Sequence, residues 1–183
     1  MSDLPFSVES HQHTNSASTE QHREQAPESV AVAVLTISDT RTTDDDRSGQ
    51  IIKQQLTWRG HDLRDYAIVK DDATEIETIL QTWIGRDDIR AIVTNGGTGI
   101  SRRDTTYEVV ARMLEKELTG FGELFRMLSY PEIGAAAMLS RAIAGVASRT
   151  AIFCLPGSSN AVKLGMEKLI APELAHVVFE MTK

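Results

Sequence analysis

The chain has little of three things that define whole classes of protein: cysteine, long apolar runs and net positive charge. It carries one cysteine, Cys154, so no intrachain disulfide and no cysteine zinc cluster can form. No apolar run approaches the length of about 20 residues that crosses a bilayer. The first residues also lack the basic start and apolar stretch of a secretory signal. We therefore expect a soluble, cytoplasmic protein without a membrane partner.

The chain has a net negative charge, which argues against nucleic acid and anionic membranes as partners. The formal net charge is −7, from 26 acidic and 19 basic side chains. The long-range field of such a chain repels nucleic acid and anionic membranes, so we expect it to bind neither. A small anionic ligand can still bind where backbone N–H groups and a few basic side chains converge.

The composition divides the chain into two parts. Residues 1–28 are rich in Ser, Thr, Gln, Glu and His and nearly free of large apolar side chains. Such a segment cannot bury enough surface to offset the entropy that ordering would cost. We predict a flexible N-terminal tail over residues 1–28 and one folded domain over residues 29–183.

Strand and helix patterns alternate through the folded part. Residues 30–37 are β-branched and apolar on both faces, as a central parallel strand requires. Further strands are predicted at residues 63–70, 91–94, 142–146 and 150–155. Helices between them should cover both faces of the sheet, which predicts an α/β fold: a three-layer α/β/α sandwich with a mostly parallel sheet. The short strands near residue 146 add an antiparallel element.

Helix signals fill the intervals between the strands. Asp72 and Glu75 stand three apart at the start of the clearest helix, as in a capping box, and Thr105 and Glu108 form a second such pair. The inward face of the clearest helix is predicted from apolar residues at helical spacing: Ile76, Ile79, Leu80, Trp83 and Ile84. Further helices are expected around residue 52, over 123–130, after LPGSSN and from Pro172 onward.

Polar or glycine-rich loops follow most of the predicted strands. They contain the segments SDT, KDD, NGGTGISRRD and LPGSS, in chain order. In open α/β sheets, ligands bind at the carboxyl ends of the strands. Loops gathered along that edge therefore predict one composite binding site.

The loop after the third strand is the most informative of these. Gly96, Gly97 and Gly99 can adopt positive φ and let a ligand approach the backbone, whose N–H groups can cradle a phosphate. The spacing is not that of a Walker A loop. Arg102 stands where a dinucleotide-binding fingerprint has its third glycine, which argues against a dehydrogenase. The alternative is a tight strand-to-helix turn without a ligand.

Two carboxylates accompany this loop. Asp71 and Asp104 each directly precede a predicted capping pair, and on this fold both should point into one cleft. Carboxylates beside a phosphate site suggest Mg²⁺, which prefers oxygen ligands and bridges phosphates. Alternatively, both residues only extend the helix caps and complement the helix dipole. Residues 44–46, three consecutive aspartates, are interpreted as a solvated loop and helix start rather than as a metal site.

Polar groups of the other loops complete the candidate site. Side chains after the first strand and backbone N–H groups after the last can hydrogen-bond a ligand, although ordinary turns explain the same residues equally well. The full set of candidate binding residues is Ser38, Asp39, Thr40, Gly96, Gly97, Thr98, Gly99, Ser101, Arg102, Pro156, Gly157 and Ser158. Asp71 and Asp104 are the candidate catalytic residues and Mg²⁺ ligands.

Three long blocks carry a family resemblance. TNGGTGISRRDTTYEVV, GFGELFRMLSYPEIGAAAMLSRAIAGV and FCLPGSSNAV occur in this order. Together they resemble the MoaB group of the MoaB/MogA family, which also includes the G domain of gephyrin. The resemblance runs from about residue 30 to the C-terminus and leaves the tail outside. A lone GGTG would be a weak signal, whereas the ordered combination is specific.

This resemblance implies a fold, an activity and an assembly. The fold is the MogA-like α/β/α domain, and the assembly is a homo-oligomer, either a trimer or a hexamer of two trimers. The activity is molybdopterin adenylyltransferase, in which the terminal phosphate of molybdopterin attacks the α-phosphate of MgATP and pyrophosphate leaves. Asp71 and Asp104 match the family's two functional carboxylates, and the glycine loop matches its pterin-phosphate site.

A second function stays open beside the enzyme. A MoaB-type relative can hold molybdopterin, or another protein of the molybdenum cofactor pathway, with little or no turnover. ATP and Mg²⁺ would then have no catalytic role. The sequence leaves this binding protein as the alternative to the adenylyltransferase.

Overall fold

The computed structural model describes residues 23–183. Most of the predicted tail, residues 1–22, lies outside the described residues. Within the part of the tail that is described, residues 23–25 form a helical turn. There Arg23 forms an ion pair with Glu173, so the end of the tail contacts the folded domain.

Strands of the described chain form one sheet. Their bounds are β1 (Ala31–Ile37), β2 (Asp62–Val69), β3 (Ala91–Asn95), β4 (Lys116–Glu117), β5 (Ile143–Ala147) and β6 (Thr150–Leu155). The order across the sheet is β2-β1-β3-β6-β5-β4. β2, β1, β3 and β6 run parallel, whereas β5 is antiparallel to β6 and to β4. The mostly parallel sheet with an antiparallel element near residue 146 is confirmed.

Helices occupy the predicted intervals, with some differences in extent. Their bounds are α1 (Arg47–Trp58), α2 (Ala73–Ile84), α3 (Thr106–Met113), α4 (Thr119–Ile133), α5 (Ser159–Gly165) and α6 (Ala171–Thr182). A 3₁₀ segment, Gly134–Leu139, follows α4, and a π-helical segment, Met166–Ile170, joins α5 to α6. The last two predicted helices are therefore one continuous helical run. Within residues 23–183, no helix has the length and apolarity that crossing a membrane requires.

The sheet has an apolar cluster on each face, which makes the fold three-layered. Val32 and Val34 of β1 point to the face covered by α1, α4, α5 and α6. Ala33 and Leu35 point to the opposite face, under α2 and α3. This alternation follows from the period of two in a strand, and it explains why β1 is apolar throughout. The predicted three-layer α/β/α sandwich is confirmed.

The two capping pairs have different outcomes. Asp72 caps α2 by accepting hydrogen bonds from the amides of Thr74 (2.9 Å) and Glu75 (3.0 Å), as predicted. The prediction for Thr105 and Glu108 is wrong, because the Thr105 side chain makes no cap bond to α3. Its hydroxyl donates to the carboxylate of Asp71, on the loop after β2, which directs the side chain toward that loop.

The three consecutive aspartates do not share one environment. Residues 44 and 45 are exposed, as expected for a solvated loop. Asp46 begins α1, as predicted, but its side chain is fully buried. The expectation that all three are solvated is therefore wrong at Asp46, because the sheet supplies polar partners for its carboxylate that the sequence does not reveal.

Hydrogen bonds surround the buried carboxylate of Asp46. Its Oδ1 accepts from the Gly49 amide (2.9 Å), and its Oδ2 accepts from the Thr36 hydroxyl (2.5 Å) and the Tyr66 hydroxyl (2.7 Å). Burial alone would raise the pKa of Asp46. The hydrogen bonds, together with the nearby charge of Arg41, outweigh burial and hold the pKa below its ordinary value of 3.8. The carboxylate therefore stays ionised and ties α1 to β1 and β2.

We expect Asp46→Asn to lower the free energy of unfolding at neutral pH by about 1–3 kcal/mol, because a buried donor replaces an acceptor that other donors surround. A depressed pKa gives stabilisation that is present above the ordinary pKa and lost as the pH falls below it. The difference in the free energy of unfolding between wild type and variant should therefore become smaller below about pH 4. Urea unfolding at several pH values measures it.

The exposed neighbour Asp44 provides the control. Asp44→Asn should change the free energy of unfolding by no more than about 0.5 kcal/mol at any pH. An Asp46→Asn variant as stable as the wild type at neutral pH would contradict a structural role for the buried charge.

Candidate functional site

A cleft of about 500 Å³ opens at the carboxyl ends of β1, β3 and β6. These strands are neighbours in register, since Thr36 pairs with Asn95 and Asn95 pairs with Leu155. Their following loops therefore meet, joined by the end of the 3₁₀ segment. The lining residues are Ile37, Ser38, Thr40, Arg41, Gly96, Gly97, Thr98, Gly99, Asp104, Leu139, Ser140, Pro156, Gly157 and Ser158.

The glycine loop lies too close to its surroundings for any side chain. Gly96 and Gly97 have φ of 103° and 63°, in the left-handed region that favours glycine. A Cβ on Gly96 would lie 2.1 Å from the carbonyl oxygen of Ile37. A Cβ on Gly97 would lie 2.1 Å from the Thr106 hydroxyl. Both glycines are therefore required by conformation and by space.

Not every N–H of this loop can serve a ligand. The Gly96 amide donates to the carbonyl of Leu155 (3.1 Å), which joins the loop to the end of β6. Thr106 donates its amide to the carbonyl of Gly97 (2.9 Å), which joins the loop to the start of α3. An anion cradle must therefore come from the backbone after Gly96.

The two candidate carboxylates both lie against this loop. Asp71 accepts hydrogen bonds at Oδ1 from the Thr105 amide (3.1 Å) and hydroxyl (3.0 Å). Asp104 accepts at Oδ2 from the Ser101 amide (2.9 Å). A Cβ on Gly97 would lie 2.6 Å from Asp71 Oδ2, and one on Gly99 would lie 2.6 Å from Asp104 Oδ2. Asp104 lines the cleft and Asp71 does not, so the expectation that both point into one cleft is wrong for Asp71, whose carboxylate is held by Thr105.

Other predicted residues do not line the cleft. Asp39 accepts from the Asp71 amide (3.3 Å) and forms an ion pair with Arg103. Ser101 and Arg102 border a neighbouring shallow pocket instead. The turn from residue 101 to 104 closes on itself, because Asp104 donates its amide to the Ser101 carbonyl (3.0 Å). This turn keeps Arg102 on the outside of the loop.

The remaining predicted residues lie in the cleft, with part of their hydrogen-bonding capacity used locally. The Ser38 hydroxyl accepts from the amides of Thr40 (3.3 Å) and Arg41 (3.2 Å). Ser158 caps α5 by accepting from the amide of Ala161 (3.2 Å). Both hydroxyls can still donate to a ligand, since accepting a bond leaves the O–H free to turn. Turn formation and ligand binding are therefore compatible here.

Two arginines at the site were missed by the sequence analysis. Arg41 lines the cleft and donates from Nη2 to the carbonyl of Gly157 (3.0 Å). Arg141 donates from Nη1 to the carbonyl of Gly99 (3.0 Å), and its guanidinium lies 4.1 Å from the Tyr107 ring centroid. Arg41 directly follows the SDT segment, but no spacing rule marks either arginine as part of this site.

The carboxylates beside the glycine loop are too few to enclose a metal ion by themselves. Within residues 23–183, no group of at least three His, Cys, Asp or Glu side chains could hold a metal ion. Mg²⁺ commonly uses one or two carboxylates and takes its remaining ligands from water and substrate phosphates. Asp71 contacts this loop at Gly97 and Asp104 contacts it at Gly99.

Comparison with known proteins gives the same family. Residues 33–176 match the family described as "Probable molybdopterin binding domain". The chain is 56% identical over 167 residues to molybdenum cofactor biosynthesis protein B of Halalkalibacterium halodurans, a match that covers 91% of this chain and 98% of that protein.

Solved structures agree with the sequence comparison. A crystal structure of molybdenum cofactor biosynthesis protein B superposes with a TM-score of 0.83 at 51% identity, covering 86% of this chain and 99% of that one. A structure of MogA superposes with a TM-score of 0.74 at 30% identity, covering 82% and 99%. The resemblance found in the three sequence blocks is confirmed, and the chain belongs to the MoaB/MogA family of molybdopterin-binding domains.

Proposed function

We propose that this protein binds molybdopterin and MgATP at the cleft and adenylylates molybdopterin in molybdenum cofactor biosynthesis. Family membership and the names of the relatives support the pathway. The observation that carries the finer proposal is the glycine loop, Gly96–Gly99, with the carboxylates of Asp71 and Asp104 packed against it. We also propose that this takes place in the cytoplasm.

Recognition of the pterin phosphate rests on the backbone of the loop. Glycine lets the phosphate approach N–H groups that a side chain would shield. The loop is fixed by the bonds of Gly96 to Leu155 and of Thr106 to Gly97, so it needs little reorganisation on binding. Ser158 and Thr40 also line the cleft, and their hydroxyls can donate to the rest of the ligand.

The proposed reaction is a displacement at the α-phosphorus of ATP. An oxygen of the molybdopterin phosphate forms a bond to the α-phosphorus, the bond from that phosphorus to the bridging oxygen breaks, and pyrophosphate leaves. Both reacting groups are anionic and repel each other, so the protein must mainly align and neutralise them. Mg²⁺, when bound, neutralises charge on the nucleotide phosphates.

The carboxylates contribute by their fixed positions. Asp71 is held by two hydrogen bonds from Thr105, and Asp104 by the amide of Ser101. In each residue the second carboxylate oxygen accepts no hydrogen bond from the described residues 23–183. Those oxygens are the ones that would bind the metal ion or one of its water ligands.

A second candidate is a protein that binds molybdopterin without turnover. The observation that favours it is the low positive charge of the cleft. Among the described residues that line it, Arg41 is the single basic one. Two phosphorylated substrates would bring several negative charges, whereas the pterin phosphate alone brings few.

We also propose that the chain forms a homo-oligomer, a trimer or a hexamer of two trimers. Support comes from apolar side chains exposed on α4 and the 3₁₀ segment after it, which a second copy of the chain would cover. They are Leu124, Met127, Tyr130, Ile133, Met138 and Leu139, and their exposed fractions range from 46% to 77%. We call this group the α4 face.

Asp104→Asn is expected to lower the rate of adenylylated molybdopterin formation by about 10²–10³-fold, because the carboxylate proposed to hold Mg²⁺ at the anionic phosphates is lost. The measurement is direct detection of that product from purified protein, ATP, Mg²⁺ and molybdopterin. Asp87→Asn, in an exposed turn before β3, is the matched control and should retain the wild-type rate.

Each alternative outcome of this assay has a definite meaning. Equal rates for wild type and Asp104→Asn would remove the proposed catalytic role of that carboxylate. Tight pterin binding by the wild type without any product would favour the binding protein.

For the assembly, we expect light scattering to give the mass of a trimer or a hexamer. Met127→Glu together with Tyr130→Glu should shift the mass to that of one chain, because two charges would be buried in an apolar contact. Trp58→Glu alters an exposed apolar residue outside the α4 face and should leave the mass unchanged. A wild type that has the mass of a single chain would refute the oligomer.

A further inference from the structure

We propose that Arg41 binds the phosphate of the pterin ligand, and that the buried Asp46 positions the Arg41 guanidinium for this contact. The inference rests on the proposed function, because it concerns a ligand of the same cleft. It assigns a binding role to Arg41 and a positioning role to Asp46, which does not itself touch the ligand.

Arg41 is the cationic group that the cleft offers. The other arginines near the glycine loop are engaged outside the cleft lining: Arg103 pairs with Asp39, and Arg141 pairs with Glu108. Arg102 lies on the outside of the loop. Arg41 is therefore the one basic side chain among the described residues that line the cleft, whereas Arg141 reaches the glycine loop at the Gly99 carbonyl.

Two loops hold the Arg41 side chain in place. Its Nη2 donates to the carbonyl of Gly157 (3.0 Å), and its Nη1 lies 3.5 Å from Asp46 Oδ1. The side chain is 30% exposed, and the residue lines the cleft. A guanidinium has five N–H donors in a planar fork, and these contacts leave donors for a phosphate. Arg41 is thus a partly buried, pre-oriented phosphate donor.

The same Gly157 carbonyl fixes the position of the arginine relative to the loop. Ser48 of α1 donates its hydroxyl to this oxygen (2.8 Å), so the carbonyl is held from two sides. A Cβ on Gly157 would lie 3.0 Å from the Cα of Gly96. Arg41 is therefore anchored to a residue that contacts the glycine loop, which brings its charge close to the proposed phosphate cradle.

Asp46 is held more firmly than a surface counter-ion would be. It is fully buried, and Thr36 of β1 and Tyr66 of β2 donate to its Oδ2. Asn95 of β3 in turn donates from Nδ2 to the Thr36 hydroxyl (2.9 Å). This chain of hydrogen bonds crosses three neighbouring strands and fixes the carboxylate. Asp46 therefore offers Arg41 a charge at a constant place.

The proposal leads to three expectations about ligand binding by variants of Arg41 and Asp46. Lysine cannot replace Arg41 fully, since a single ammonium lacks the fork that serves Gly157, Asp46 and a phosphate together. The contribution depends on the ligand's phosphate, so a dephosphorylated pterin should not sense it. Asp46 acts only through Arg41, so the effects of losing each residue should not add.

The test is equilibrium binding of molybdopterin and of its dephosphorylated form to the full chain. We expect Arg41→Gln to weaken binding of molybdopterin by about 10- to 100-fold, as the loss of a hydrogen-bonded charge does. Binding of the dephosphorylated form should be unchanged. Arg41→Lys should recover part of the loss. The control is Arg149→Gln, in the exposed turn between β5 and β6, which should bind both ligands as the wild type does.

The role of Asp46 is tested by a double-mutant cycle. Asp46→Asn should weaken molybdopterin binding, and Asp46→Asn combined with Arg41→Gln should bind no more weakly than Arg41→Gln alone. Tyr66→Phe removes one anchor of Asp46 with little change of shape, and it should give a smaller loss of the same kind. It serves as the test if Asp46→Asn fails to fold.

The possible failures are distinguishable. Wild-type affinity of Arg41→Gln for molybdopterin, or equal losses for both ligands, would overturn the role of Arg41. Additive losses in the double variant would overturn the positioning role of Asp46. A wild type that binds neither pterin would refute the proposed function itself, and the inference about Arg41 with it.

Discussion

The close approach of the glycine loop to its neighbours is the constraint on which the site depends. Gly96 lies against the end of β1, and Gly97 against Thr106 and Asp71, at distances that no side chain could occupy. The Gly96 amide bonds to the end of β6. These contacts bring three strand ends together, and they fix the backbone that is proposed to receive a phosphate. The close contacts of the glycine loop therefore account both for the position of the cleft and for its rigidity.

Charge around this loop is arranged in two layers. Asp71 and Asp104 lie beside the glycines, where an anionic ligand would require a cation to be shared with them. Elsewhere at the cleft, the buried Asp46 lies 3.5 Å from the Arg41 guanidinium and holds it in place. Negatively charged side chains thus lie around a site proposed for anionic ligands. A bound metal ion and the Arg41 guanidinium are the groups that would make the electrostatic potential there positive. This arrangement is consistent with a chain whose net charge is −7.

The sequence predicted elements whose apolar pattern is strong and local. Examples are β1, with its alternating buried faces, and α2, capped by Asp72. It also predicted that the loops after β1, β2, β3 and β6 form one composite site. The loops after β1, β3 and β6 line the cleft, whereas the loop after β2 contacts the glycine loop through Asp71 without lining the cleft. It missed Arg41 and the burial of Asp46, because both depend on partners far along the chain, such as Gly157 and Tyr66. Thr105 was assigned to a cap because local spacing does not reveal the competing Asp71.

The most direct test of the central claim is a crystal structure of the full chain with molybdopterin bound. The account predicts the ligand's phosphate within hydrogen-bonding distance of the backbone N–H groups of Gly97–Gly99, with the Arg41 guanidinium also in contact. A phosphate bound elsewhere would contradict it, for example in the cavity beside Arg64 and Arg90 at the opposite end of the sheet.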